Sequence, residues 1–404
     1  MSVSHQSIAV PGTGESRRLR FGGGFRHRAF GPGYAGVVPW GPAPGGGAVL
    51  PGTPDAVGPG VAMMQVPERP RQAWRRVHEA ARRQRNVIAA PRFSALTSRF
   101  RREEWNIGVV PQTIGDIVRH GITKPIEWWP DRGPWRMLAD PSILVDPDGR
   151  RILFAEHLDH RIGRGEIWGA RLAAGETLSK AVLRPWMRSS AHLSYPQPVF
   201  DTNGCMYFMA ETWQAGALHL WRRMDDSLAH VGPIIPEPLL DPTPWHDGTT
   251  WWLFCTSRFV GSNQQLRLYY ADRLEGPWTA HPRNPVKSDP ASSRPAGPIV
   301  RVDGDLIRPA QDCSETYGGG IVLNRIMRLD RDCFEEAPIR RLQADTVYPH
   351  GLHTLCSAGD LTLVDGKRLS FRSWDIPRKI FVAGADWMRP MLKPSLPARL
   401  PLPA

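Results

Sequence analysis

The sequence predicts an all-β fold, a five-bladed β-propeller preceded by a disordered basic leader, and three observations carry that reading. From Trp105 onward the chain is a succession of short β-branched and aromatic runs broken by Gly, Pro, Asn and Asp, the pattern of many short strands. Four segments share one plan of strand, two-residue turn and second strand: DPSILVDPDGRRILFAE from Asp140, YPQPVFDTNGCMYFMAE from Tyr195, DPTPWHDGTTWWLFCT from Asp241 and AGPIVRVDGDLIRPAQD from Ala296. Their turns, Asp148-Gly149, Asn203-Gly204, Asp247-Gly248 and Asp303-Gly304, are dipeptides suited to the two positive φ angles of a type I′ hairpin. A weaker fifth hairpin, HTLCSAGDLTLVDG, turns near Ala358-Gly359, and successive turns lie 55, 44, 56 and 55 residues apart. That period fits one propeller blade of roughly 40–50 residues, whereas a two-sheet sandwich leaves the recurrence unexplained.

Taken in order, residues 1–64 read as a leader rich in Gly, Pro, Ala and Arg that cannot bury enough apolar surface to order itself. Residues 65–103 read as a basic helix or linker, with RQAWRRVHEAARRQRN from Arg71 rich in helix formers. Its charge suits either a solvated surface or contact with an acidic partner. The propeller is expected over 104–375, with the strand around Trp105-Asn106-Ile107-Gly108 helping to close the ring, and a Pro-rich tail over 376–404.

Charge distribution narrows the function classes. The formal net charge is +12, and residues 1–102 hold 16 Lys or Arg against 4 Asp or Glu, so the remainder is neutral. The propeller therefore has no bulk electrostatic attraction for a nucleic-acid backbone. Five cysteines without a close CxxC pair support neither a zinc knuckle nor a disulfide framework. No run of 18 apolar residues predicts a membrane span, and no apolar secretory segment opens the chain, so a cytoplasmic protein is the expectation. No cofactor is called for.

In a propeller the innermost strand of each blade lines the central channel, and its first residues gather at one pole. Folding each hairpin back on itself puts Asp140 beside Glu156, Tyr195 beside Glu211 and Asp241 near Thr256. The fourth blade adds Arg294, Arg308, Gln311 and Asp312. Carboxyls crowded in low dielectric must pair with arginine or hold a proton, and that division is what acid and base chemistry on a glycoside uses. Asp-Pro at a strand entrance also serves as a turn device, Glu156 and Glu211 also suit blade-end ion pairs, and Arg308 also suits pairing with Asp312. Among sixteen tryptophans, most are expected in the inter-blade core, and Trp213 and Trp245 are the preferred sugar platforms. His350 and His353 in HGLHT suit polar contacts to a ligand better than a metal, since no third ligand accompanies them.

The series LADPSILVDPDGRRILFAEH, SYPQPVF, YFMAET, DPTPWHDGTTWWLF, LEGPWTAHPRNPV, RPAGPIV, LIRPAQDC, YGGGIVL and HGLHT resembles the propeller domain at the N-terminus of plant glucosamine inositolphosphorylceramide transferases, over about Glu104 to Ser373. More distantly it resembles the five-bladed arabinanase, β-xylosidase and levansucrase superfamily. That second resemblance implies three working carboxylates: Asp140 as base or nucleophile, Asp241 as the tuning carboxylate and Glu211 as the acid. It also marks a departure, since Tyr195-Pro196 stands where those hydrolases commonly carry a second-blade Asp. The resulting expectation is a glycoside hydrolase-like enzyme acting on a glycan or glycoconjugate. The alternative is a non-catalytic carbohydrate-binding module supporting glycan synthesis or transfer. A third reading makes the basic leader the functional part, docking on nucleic acid or acidic lipid.

Overall fold

A computed structural model describes residues 101–145, 149–173, 176–224, 227–371, 375–377 and 396–401. The expected leader and most of the basic linker lie outside the described residues. Strand β1 (Arg102–Val110) is followed by a short helix α1 (Ile114–His120) and β2 (Glu127–Trp128). Thr113 caps α1 by accepting the Asp116 N–H, and Gly121 ends it at φ 82°.

Five sheets then succeed one another. Blade 1 is β3 (Arg136–Val145), β4 (Arg151–Asp159), β5 (Arg164–Leu172) and β6 (Arg184–Met187), in that order across the sheet. Blade 2 is β7 (Ser194–Phe200), β8 (Met206–Glu211), β9 (Leu218–Met224) and β10 (Ser227–Ile235). Blade 3 is β11 (Leu239–His246), β12 (Trp251–Ser257) and β13 (Gln265–Ala271), edged by the short β14 (Thr279–Ala280) and β15 (Lys287–Ser288). Blade 4 is β16 (Val300–Val302), β17 (Asp305–Gln311), β18 (Ile321–Leu329) and β19 (Phe334–Leu342).

Blade 5 joins the two ends of the ring. Its inner strands are β20 (Leu355–Ala358) and β21 (Leu361–Ser370), and β1 then pairs with β21 from Arg102 opposite Ser370 to Val110 opposite Thr362. This pairing ties the first strand to the last blade and closes the ring, as the Trp105 strand predicts. A last strand, β22 (Arg399–Pro401), adds to β10 at the outer edge of blade 2, so the C-terminal segment is more than the Pro-rich tail expected of it.

Each seam between blades has its own hydrophobic cluster. The Trp251-Trp252 doublet shows how period-2 alternation builds them: Trp251 packs into the seam of blades 2 and 3, and Trp252 into that of blades 3 and 4. The turns at the opposite pole differ in detail from the type I′ expectation. Asp303-Gly304 alone among the described hairpin turns has both central residues at positive φ, 52° and 87°. Asp201 N–H instead reaches Cys205 O around a longer loop, and at Asp247 the side chain accepts N–H from Thr249 and Thr250. A side chain that bonds the turn backbone stands in for the second left-handed residue.

Candidate functional site at the propeller pole

Three inner strands carry the same device. Asp140, Tyr195 and Asp241 have φ of 50°, 48° and 49°, and each precedes a proline. Each sits where register slips between its strand and the next, between Ala139 and Ser142, Ser194 and Gln197, and Leu240 and Thr243. A bulge with a left-handed non-glycine residue stores roughly 1–2 kcal/mol of local strain and re-aims that side chain toward the channel. Carboxylates of neighbouring blades hold the strained peptides. Asp140 N–H donates to Asp365 Oδ2 at 3.0 Å, Tyr195 N–H to Asp140 Oδ2 at 3.2 Å, and Asp241 N–H to Glu211 Oε2 at 3.1 Å.

The pole thereby gathers Asp140, Glu156, Glu211, Asp241 and Asp365, all buried. Two cations answer them. Arg294 grips both oxygens of Asp241, Nε to Oδ2 at 2.5 Å and Nη2 to Oδ1 at 3.3 Å, and Gln311 Nε2 donates to Oδ2 at 3.0 Å. His353 Nδ1 lies 2.5 Å from Asp365 Oδ2, and its Nε2 lies 3.5 Å from Asp140 Oδ1. Trp105 stacks on that imidazole with ring centroids 4.0 Å apart.

The electrostatic consequence is uneven. Burial, reinforced by Asp241, pushes Glu211 up to about 8. Burial also raises Asp140, but His353 opposes it and the group stands at about 6. Glu156 rises well above the carboxylate range, through burial and then the charge of Asp140. Its Oε1 accepts no hydrogen bond from the described residues, and His192 Nε2 stands 3.5 Å away. Burial disfavours the charge of His353, yet Asp365 and Asp140 overcome that and hold its pKa above the usual histidine value. Asp140, His353 and Asp365 bring one ligand-type atom each within 4.8 Å of one another. His353 Nδ1 is close enough to Asp365 for an ion pair, though not in hydrogen-bond geometry, and the three residues also form a set that could hold a metal ion, with the further ligands that the HGLHT pair lacks in sequence.

Several expected site residues belong elsewhere. Tyr195 is wholly buried, and its hydroxyl accepts the Gly297 N–H at 2.6 Å and bonds Thr243 Oγ1 at 2.9 Å, so it ties blades 2, 3 and 4 together instead of facing a ligand. Trp245 lies further along β11, opposite Trp252, and packs in the seam of blades 3 and 4. Arg308 and Asp312 do not pair with each other: Arg308 binds Glu336, Nη2 to Oε1 at 2.6 Å, and Asp312 binds Arg341. His350 accepts the Leu369 N–H at 3.2 Å, beyond the pole. Trp213 does follow Glu211, on a 3₁₀ turn, but Arg258 stacks on it 4.4 Å from the ring centroid. Asp365 is the pole residue that sequence reasoning missed. It lies within the second strand of the fifth hairpin, at a position comparable to that of Glu156 and Glu211 in theirs, and that position is the signal that marks it.

Among the described residues no helix is long and apolar enough to cross a membrane. The chain is 31% identical over 260 residues to glucosamine inositolphosphorylceramide transferase 1 of Oryza sativa subsp. japonica, covering 58% of this chain and 34% of that protein. It is 31% identical over 217 residues to the Arabidopsis thaliana protein of the same name, covering 51% of this chain and 28% of that one. The chain thus spans about a third of the length of the curated relatives it matches. Among solved structures it is similar to a thermostable family-43 glycoside hydrolase, with TM-score 0.41 and 14% identity over 50% of this chain and 76% of that one. It is also similar to an exo-β-1,3-galactanase from Clostridium thermocellum, with TM-score 0.43 and 14% identity over 54% of each chain. The family model described as glucosamine inositolphosphorylceramide transferase 1, N-terminal, matches residues 131–347, more than half of the chain and most of the ring, and the chain belongs to that family.

Proposed function

We propose that the pole binds a carbohydrate and acts on its glycosidic linkage, with Glu211 as proton donor, Asp140 as ionised base or nucleophile, and Asp241 as the carboxylate that orients and tunes them. The observation that carries this reading is the convergence of three buried carboxyls, Asp140, Glu211 and Asp241, on one pole in unlike surroundings. Burial raises both Glu211 and Asp140, but the charge of Asp241 adds to the rise at Glu211 whereas His353 opposes it at Asp140, which favours a protonated Glu211 beside an ionised Asp140. Glycoside cleavage needs one carboxyl in each state. The plant relatives bear glucosamine in their name, which makes amino sugars the first glycans to try.

One observation favours a second reading, a binding module without turnover. Both oxygens of Asp140 already accept bonds, from Tyr195 N–H and Thr354 Oγ1, and both oxygens of Asp241 face Arg294. The test is incubation of the full chain with arabinosyl, xylosyl, fructosyl and amino-sugar glycans, with products followed by mass spectrometry. Time-dependent product that disappears in Asp140→Asn and Glu211→Gln supports cleavage. Binding without product supports the module, and neither binding nor product overturns both.

A further inference from the structure

Arg258 lies over the ring of Trp213, the expected sugar platform, which remains partly exposed. The residues directly after Arg258 reverse the usual economy of aromatic side chains. Phe259 is 76% exposed and is the one aromatic among the exposed large hydrophobic side chains of the described residues, and Val260 beside it is 51% exposed. Leaving a phenyl group in water forgoes the stabilisation that its burial gives. The loop that presents them is not a loose one. Gly261, at φ 64°, turns the chain so that Gln264 and Gln265 N–H both donate to Gly261 O. Asn263 Oδ1 accepts from Arg294 Nη1 at 3.0 Å, and Arg294 is the residue that holds Asp241. At its other end Arg258 N–H donates to Pro238 O, just before β11. The loop is therefore pinned to the pole through the cation that neutralises Asp241, and it presents an apolar surface beside the site.

Resting on the carbohydrate reading above, we infer that Phe259, supported by Val260, is the platform of a second subsite that takes the next sugar ring of a glycan whose end ring lies in the pole. Aromatic faces stack on the apolar face of a pyranose or furanose, and an anchored loop holds the platform in place before the ligand arrives. The ligand class is therefore an oligosaccharide of at least two rings, not a free monosaccharide.

The experiment is calorimetric titration of the full chain with mono-, di- and trisaccharides of arabinose, xylose, fructose and glucosamine, repeated with Phe259→Ala and Phe259→Trp, and with Asp241→Asn as the pole control. Phe259 is exposed, so its replacement leaves the core untouched. The disaccharide is expected to bind about five- to tenfold more tightly than the monosaccharide, an advantage of the order of one aromatic stacking contact. Phe259→Ala abolishes that gain while leaving monosaccharide affinity unchanged, and Phe259→Trp keeps it. An unchanged ratio in Phe259→Ala overturns the subsite. Binding of the full chain to phosphatidylserine vesicles, lost in Phe259→Ala, also overturns it by making the loop a membrane contact. Failure of every saccharide to bind the parent chain instead removes the carbohydrate reading itself, whereas loss of binding confined to Asp241→Asn is the result that the pole site expects.

Discussion

Glu336 in blade 4 and Glu211 at the pole are two deeply buried carboxylates with opposite surroundings. The Glu336 side chain is only 2% exposed and receives two bonds from Arg308, at 2.8 and 2.6 Å, and one from Lys287 at 2.7 Å. Burial works against its charge, but Arg308 and Lys287 prevail and hold its pKa below the usual glutamate value. Glu211 is 5% exposed, has Asp241 as its near neighbour, and is pushed up to about 8. Burial is common to both, so the partners decide. Cations turn a buried carboxyl into a structural ion, and anions turn it into a proton reservoir.

The largest effect is expected where that structural ion is broken. Arg308→Met leaves Glu336 buried with Lys287 as its remaining cation, and also removes bonds to the carbonyls of Ser292 and Ser293. A loss of about 3–5 kcal/mol is expected in urea unfolding. A loss below 1 kcal/mol in that measurement means that the pair is replaceable and that Glu336 is not held as a structural ion by Arg308.

Tyr195→Phe comes next. It strips the acceptor from Gly297 N–H and the partner from Thr243 Oγ1 inside the ring, and about 1–3 kcal/mol of stability is expected to go with it. If the hydroxyl touches a ligand instead, stability holds and glycan affinity falls.

Glu211→Gln tests the proton reservoir directly. The folded protein keeps the Glu211 proton between its ordinary value of 4.5 and about 8, whereas the unfolded chain has released it. Folding is thus favoured at the acid end, and this group's contribution is lost as pH rises through that window, with a slope of up to about 1.4 kcal/mol per pH unit. The variant keeps an oxygen for Asp241 N–H and lacks the proton. Its stability, measured by urea titration from pH 5 to 8, is expected to vary less with pH than that of the parent. Parallel curves sink the assignment.

The smallest effect is expected at the far pole. Asp303→Asn keeps a residue that tolerates φ of 52° and loses the exposed pairing with Arg119, for a change under about 1 kcal/mol by thermal unfolding.

The amino-acid sequence by itself determined the blades. Hairpin periodicity, turn residues and strand alternation are local properties, so the repeat from Asp140 through Tyr195, Asp241 and Ala296 to the HTLCSAGDLTLVDG hairpin is legible without coordinates, and it places Asp140, Glu156, Glu211 and Asp241 at one pole. Tertiary structure alone decided which of those carboxyls meet a cation. Arg294 with Asp241 and His353 with Asp140 join different blades, while Arg308 with Glu336 and His353 with Asp365 join segments of one blade that are distant along the chain. The same reason removed Tyr195 and Trp245 from the ligand surface: how much of a ring is exposed depends on the seam it enters, and a seam is made by two blades distant in sequence. Charge state and exposure are properties of the assembled ring, because desolvation and Coulomb energy depend on distances that the chain acquires only on folding.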